Sequence, residues 1–252
     1  MIGGKKVVAA IEGRMTSTRL PGKIMMPLAG KPVMQHMIER HRRSRYTDEV
    51  VVATTTHATD DPVVALCEEM HCAYFRGSES DVLGRIVGAG VAHAAAIFVQ
   101  GMADSPLVDW RIVDRLIEML DEGELDITCN EFGDDKYPDG FDMRVYRFAV
   151  LKKIEEDHTE EEYREHAGYQ IRIDPAHYKR RLLYAEGDMR WPELRLTLDT
   201  PEDYQLLAAV YGALYPTNPD FSAEDVVAFL KTRPDLVALN SEIKQKVPNL
   251  ST

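Results

Sequence analysis

Cysteine is scarce in this chain. Cys67, Cys72 and Cys129 form an odd set with no C-x-x-C pair among 252 residues. That excludes a disulfide framework and a cysteine-based zinc site, and it predicts reduced, partly buried thiols in a cytoplasmic protein. No apolar stretch approaches the length of a membrane span, and the N-terminus has no apolar signal core, so neither a membrane anchor nor export is predicted. Two phosphate-binding signatures are missing as well. G-x-x-x-x-G-K-[ST] does not occur, which excludes a Walker A loop, and without G-x-G-x-x-G there is no dinucleotide fingerprint. Internal repeats, low-complexity segments and linkers are also lacking, so residues 1–252 read as a single domain long enough for a substantial core.

Positive charge is in deficit overall, with a formal net charge of -12. An acidic whole argues against a nucleic-acid surface, since phosphate backbones need broad positive fields. The deficit is uneven. Residues 1–45 hold ten Lys or Arg against Glu12 and Glu39, a net of +8, and the other 207 residues carry -20. A basic segment inside an acidic protein fits a focused site for a small polyanion. Arg40, Arg42, Arg43 and Arg45 read instead as a solvated helix end, where the helix dipole favours cations.

What is present is an alternation of strand-length apolar runs with helix-length periodic segments. Strands are predicted at 6–11, 49–54, 73–75 and 96–100, and helices at 31–44, 60–71, 81–94 and 110–122. Asp60-Asp61-Pro62 supplies an N-cap followed by Pro, and Asp81 opens the next helix. This order predicts an α/β fold, with a mostly parallel sheet covered by helices on both faces. Further on, 126–129 and 143–148 read as strands around a turn-rich stretch, 155–165 as a solvated acidic helix, and 170–198 as extended pieces. Helices at about 201–213 and 222–232 precede a polar tail.

Directly after Val7-Val8-Ala9-Ala10-Ile11 comes Arg14-Met15-Thr16-Ser17-Thr18-Arg19-Leu20-Pro21-Gly22-Lys23. A buried strand opening into a loop with small hydroxyls, a Pro-Gly turn and three cations is a good phosphate cradle. Ligands in such sheets bind beyond the carboxyl ends of strands, where this loop and the 101–107 segment both fall. Asp104, just after Ile97-Phe98-Val99, suits a Mg²⁺ ligand there, although on these residues alone a helix N-cap or an Asx turn before Pro106 explains it better. Asp199, after Leu196-Thr197-Leu198, reads as an N-cap for the helix starting at Pro201.

The loop resembles the signature of cytidylyltransferases that activate sugars and related acids, nearest to the spore-coat polysaccharide type and more distantly to the synthetases of CMP-sialic acid and CMP-Kdo. The resemblance continues through Phe75-Arg76-Gly77-Ser78, Asp81-Val82-Leu83-Gly84-Arg85, Asp104-Ser105-Pro106-Leu107, Tyr137-Pro138-Asp139-Gly140, Arg164-Glu165-His166 and Leu198-Asp199-Thr200-Pro201. It implies a Rossmann-like three-layer α/β/α fold of the nucleotide-diphospho-sugar transferase type with a mostly parallel mixed sheet. It also implies transfer of CMP from CTP to a small anionic acceptor, with release of pyrophosphate.

On this resemblance Arg14 and Lys23 hold the β- and γ-phosphates, and Mg²⁺ sits on Asp104 and Asp199; these four are the expected catalytic residues. Gly13, Thr16, Ser17, Arg76, Ser78 and Arg85 complete the nucleotide site. Arg76 is expected near the pyrimidine, with a surface cation the equal alternative. Acceptor contacts are expected from Asp139, Asp142, Arg144, Arg164 and His166, and a homodimer through a 125–150 excursion. A guanylyl- or uridylyltransferase, or a silent nucleotide-binding subunit, are the alternative readings. Several positions depart from the family pattern: Glu12-Gly13 stand for Gln-Ala, Thr16 for Gly, Ala103 for Gly, and Arg144 for a frequent acidic residue. Thr16 and Ala103 remove backbone freedom beside the phosphates, and Arg144 favours a more anionic acceptor.

Overall fold

The computed structural model describes residues 1–133, 135–165, 167–168, 170 and 176–244. A seven-stranded sheet runs in the order β5-β4-β1-β6-β8-β7-β9. Its strands are β1 (Val7–Glu12), β4 (Glu49–Thr55), β5 (Ala73–Gly77), β6 (Ile97–Met102), β7 (Ile127–Cys129), β8 (Arg144–Arg147) and β9 (Arg180–Leu182). A small ribbon of β2 (Pro27–Leu28) and β3 (Lys31–Pro32) stands apart. β1 pairs in parallel with β4 and β6, and β4 with β5; β8 runs antiparallel to both β6 and β7.

β1 is central because Val7 through Ile11 is apolar at every position, as a strand covered on both faces must be. All five residues are fully buried. Period-two alternation sends Val7, Ala9 and Ile11 to one core and Val8 and Ala10 to the other. The first core packs α1 (Val33–His41), α2 (Asp61–Glu69), α4 (Trp110–Glu122), α7 (Pro201–Leu214) and α8 (Ala223–Lys231). The second packs α3 (Val82–Ala92) and α5 (Phe148–Asp157).

Several sequence expectations need correction. Segment 125–150 is not an excursion: β7 and β8 lie inside the main sheet, and only the loop between them leaves it. Phe148 starts a helix that continues to Asp157, because Phe148, Leu151 and Ile154 recur at helical spacing and are buried. The acidic stretch beyond it forms only the short α6 (Glu161–Glu165). The expected polar tail contains α9 (Pro234–Val237), whose Leu236 packs on the core. Arg40 is not solvated. It is 1% exposed, lies 4.6 Å from the Phe221 ring centre, and donates to the carbonyls of Val108 and Phe221.

Candidate active site

The loop after β1 arches over a cavity of about 350 Å³. Glu12, Arg14, Arg19, Lys23, Asp104 and Asp199 supply its charged lining on the loop and strand ends, with Arg85 and Glu165 on the helical side. Two devices set the loop's shape. Gly22 takes φ 74°, so the chain turns there, and its N–H donates to the Met15 carbonyl at 2.9 Å. Asp60 holds the other side. One of its carboxylate oxygens accepts the Met15 N–H at 2.9 Å, and the other accepts from the Thr54 and Thr55 hydroxyls at 2.8 and 2.6 Å and from the Thr55 N–H at 3.0 Å. Burial pushes this carboxyl's pKa up, but those hydrogen bonds outweigh it and hold the value below the usual range. Asp60 starts α2 without capping it; its carboxylate is committed to the loop.

Asp104, just past β6, and Asp199, at the end of an irregular extended run, meet at Lys23. The Asp104 carbonyl accepts the Leu198 N–H at 2.7 Å, which brings Asp199 alongside. Lys23 Nζ sits 2.9 Å from Asp199 Oδ1 and 3.9 Å from Asp104 Oδ2. Arg19 reaches Asp199 Oδ1 at 2.9 Å, and Arg195 reaches Oδ2 at 2.8 Å. Desolvation raises the Asp199 pKa, yet Lys23, Arg19 and Arg195 together hold it below the usual range. Asp104 has fewer partners: burial raises its pKa, and Lys23 opposes this only in part. Its carboxylate caps no backbone N–H and accepts one hydrogen bond, from Ser105 Oγ at 3.4 Å, so the Asx-turn alternative does not describe it. Nor does Asp199 cap the next helix. Thr200 does, in a capping box with Asp203.

Asp104, with few partners of its own, and Asp199 offer hard carboxylate oxygens of the kind a small divalent ion takes when water and phosphate oxygens complete its shell, and Lys23 or Arg19 would have to give up Asp199 Oδ1 to it. Among the described residues no cluster of three or more His, Cys, Asp or Glu is disposed to hold a metal. The cavity thus gathers loop cations and two carboxylates in one place.

The sequence pattern of the family described as "Cytidylyltransferase" matches residues 8–225. The chain belongs to the cytidylyltransferase family. It is similar to the spore coat polysaccharide biosynthesis protein SpsF of Bacillus subtilis (strain 168), at 33% identity over 91% of this chain and 95% of that protein. A cytidylyltransferase structure from Leptospira borgpetersenii serovar Hardjo-bovis matches with TM-score 0.86 and 27% identity, covering 96% of this chain and 99% of the other. A CMP:2-keto-3-deoxy-manno-octonic acid synthetase, in complex with CTP, shares the fold at 22% identity and TM-score 0.62, over 82% of this chain and 98% of its own. The protein is thus a nucleotidyltransferase with a nucleotide-diphospho-sugar transferase fold.

In this cytidylyltransferase Gly13, Arg14, Ser17, Lys23, Arg85, Asp104 and Asp199, all expected site residues, line one cavity. Arg14 and Thr16 both engage Glu79, from the loop before α3, Arg14 through a 3.3 Å ion pair. Arg76 is turned away. It donates to the carbonyls of Thr55 (2.7 Å) and His57 (2.8 Å) and pairs with Asp61 at 2.8 Å, so it ties the end of β4 to α2. Ser78 is likewise spent locally, its hydroxyl accepting the Asp81 N–H at 3.2 Å.

On the expected acceptor side, Arg144 is neutralised by Glu131, with two contacts of 2.6 Å. Arg164 is held by Asp81 and by Glu155, the latter at 2.7 Å. Neither is a free cation for an anionic substrate, which corrects the inference drawn from Arg144. Asp142 is buried beside Arg144, and desolvation together with Asp139 raises its pKa well above the carboxylate range. Asp139 faces Arg195 at 3.5 Å, and His166 lies outside the described residues. No site role is read from the sequence for Glu79 or Arg195, and Asp60 is offered there only as a helix cap. Arg195 bridges three carboxylates, adding Asp203 at 3.0 Å; the four-residue spacing of Arg195 and Asp199 in Leu194–Asp199 was the available signal.

Proposed function

We propose that the protein transfers CMP from CTP to an oxygen of a small metabolite, with release of pyrophosphate. The observation that carries this is Lys23 Nζ seated between Asp199 and Asp104 at the floor of the loop-covered cavity. Family membership supports cytidine as the base. A CTP complex is recorded for the synthetase that shares the fold.

In this reading Arg14, Arg19 and Lys23 bind the β- and γ-phosphates and take up charge as it grows on the leaving pyrophosphate. Ser17 and Thr16 orient the loop against them. Asp104 and Asp199 would hold Mg²⁺, which supplies Lewis-acid polarisation of the α-phosphate when bound. The acceptor oxygen attacks the α-phosphorus in line, forming one P–O bond as the bond to the β-phosphate oxygen breaks. Positioning dominates such chemistry, so fixing Asp199 between three cations serves the rate directly. The expected anionic preference loses its support in Arg144 and Arg164, and the acceptor class is left to the residues around Asp139 and Asp142. Free, buried cysteines agree with a cytoplasmic enzyme, and no helix among the described residues is long and apolar enough to cross a membrane. The reading includes a homodimer with contacts from 125–150, checked by light scattering.

Thermal unfolding with CTP, UTP, GTP and ATP, each with and without Mg²⁺, tests the assignment. A ligand at a hundredfold its Kd stabilises by about 2.7 kcal/mol. A Mg²⁺-dependent shift largest with CTP is the expected result; a larger shift with another triphosphate reassigns the base.

A further inference from the structure

Arg76 points away from the cavity, so base recognition falls to another residue. Glu12 is the side chain in position for it. It ends β1 on the face that Val8 and Ala10 share with α3, and it lines the cavity beside Gly13, Val82 and Arg85. Its two oxygens differ. Oε1 accepts from the Gln100 amide at 3.3 Å. The opposite end of that amide is fixed, because Gln100 Oε1 accepts from the Tyr146 hydroxyl at 2.9 Å and from Arg144 at 3.4 Å. Oε2 is shut off from bulk water and meets no donor among the described residues.

A buried carboxylate oxygen left without a donor is costly, and in a native site it calls for a partner outside the protein. The nearest cations do not provide one. Arg144 is taken by Glu131, and Arg85 spends one guanidinium nitrogen on the carbonyls of Ser78 and Glu79. Arg85 Nε is itself a buried donor without an acceptor. One cavity is therefore lined by a residue with an unmatched acceptor, at the end of β1, and by a residue with an unmatched donor, on α3.

We propose that Glu12 reads the nucleobase of the bound triphosphate, with Oε2 accepting a hydrogen bond from the exocyclic amino group of cytosine. Arg85 Nε answers the adjacent ring acceptor, N3. Cytosine offers the amino donor that a carboxylate selects, whereas uracil presents an oxygen there that a carboxylate repels. The proposal rests on the CTP reading above and adds the residue that chooses the base. Glutamate at this place, where the family pattern has glutamine, would make the choice strict, because an amide can turn either a donor or an acceptor to the ligand.

The test is titration calorimetry of the full chain with CTP, UTP and inorganic tripolyphosphate in Mg²⁺, for wild type and Glu12→Gln. The expected result is at least tenfold tighter binding of CTP than of UTP in wild type. In the variant that ratio falls at least tenfold, while tripolyphosphate affinity is unchanged. A variant that keeps the wild-type ratio overturns the proposal and leaves the CTP reading intact. Wild type that binds tripolyphosphate but no CTP overturns both. If Glu12→Gln does not fold, wild type is titrated with the triphosphate of pyrimidin-2-one riboside, which lacks only the amino group. Binding at least tenfold weaker than CTP is expected, and equal binding refutes the role of Glu12.

Discussion

The methyl group of Ala103 occupies the space that a side chain on residue 13 would need: a Cβ built on Gly13 would lie 2.7 Å from Ala103 Cβ and 3.0 Å from Met34 Cε. The family pattern has Ala at the first position and Gly at the second, and this chain has the reverse. The two departures are one exchange across the mouth of the cavity. Thr16 causes no distortion either, since no residue from Gly13 to Pro21 takes a positive φ.

The exchange predicts strong coupling. Gly13→Ala alone overpacks the junction of β1 and β6 and costs about 1–3 kcal/mol. Ala103→Gly alone is milder, and the double variant recovers most of the loss. Urea melts of the four proteins measure the interaction energy; simple additivity would contradict direct contact.

Asp60 ties the phosphate loop to β4, so Asp60→Asn puts an amide against the Met15 N–H and is expected to cost about 1–3 kcal/mol. Because the folded pKa of Asp60 is depressed, its contribution is complete above the ordinary carboxylate value of about 4 and fades as pH falls through the lower folded value. Melts at pH 7 and pH 3 should show a smaller difference between wild type and variant at the acid end. An unchanged difference contradicts this.

His41 is fully buried under Gly101 with neither ring nitrogen partnered. Burial, aided by Arg40, pushes its pKa down to about 4. The unfolded chain takes up a proton near pH 6.5 and the folded one does not, so stability from this site is complete above 6.5 and declines toward pH 4 by about 3 kcal/mol. His41→Leu should flatten that slope in chemical denaturation across the window. A slope that persists unchanged assigns the titration to other groups.

The sheet was legible because β1, β4 and β6 are runs of apolar and β-branched residues, and the loop because its cations crowd a Pro-Gly turn. Asp104 was legible from its place after the buried strand β6, and Asp199 from the buried run Leu196–Leu198, which is extended but forms no strand. Glu131, Asp60 and Glu79 were not, since each acts on a residue far away in sequence: Arg144, Met15 and Arg14. Charges that look available in a sequence, such as Arg76, Arg144 and Arg164, are spent once a distant carboxylate or carbonyl folds against them. Phe148 was misassigned because one apolar residue at a strand end serves equally as the first of a helical stripe.

Arg195 carries the largest structural prediction. Arg195→Met strands Asp139, Asp199 and Asp203 without their shared cation. Loss of one partner from such a buried set costs about 3–5 kcal/mol. Arg195→Lys retains the charge but not the fork, and should recover only part of the stability in urea melts. Full recovery by Lys would show that geometry is unimportant there.

The central claim is that the Gly13–Lys23 loop, Asp104 and Asp199 form a site for a metal-bound triphosphate. Calorimetric titration of CTP, with and without Mg²⁺, into wild type, Lys23→Ala and Asp104→Asn tests it most directly. The account predicts Mg²⁺-dependent binding in wild type, at least tenfold weaker binding in Lys23→Ala, and loss of the Mg²⁺ dependence in Asp104→Asn. Binding that ignores Mg²⁺, or that survives both substitutions at wild-type strength, would contradict it.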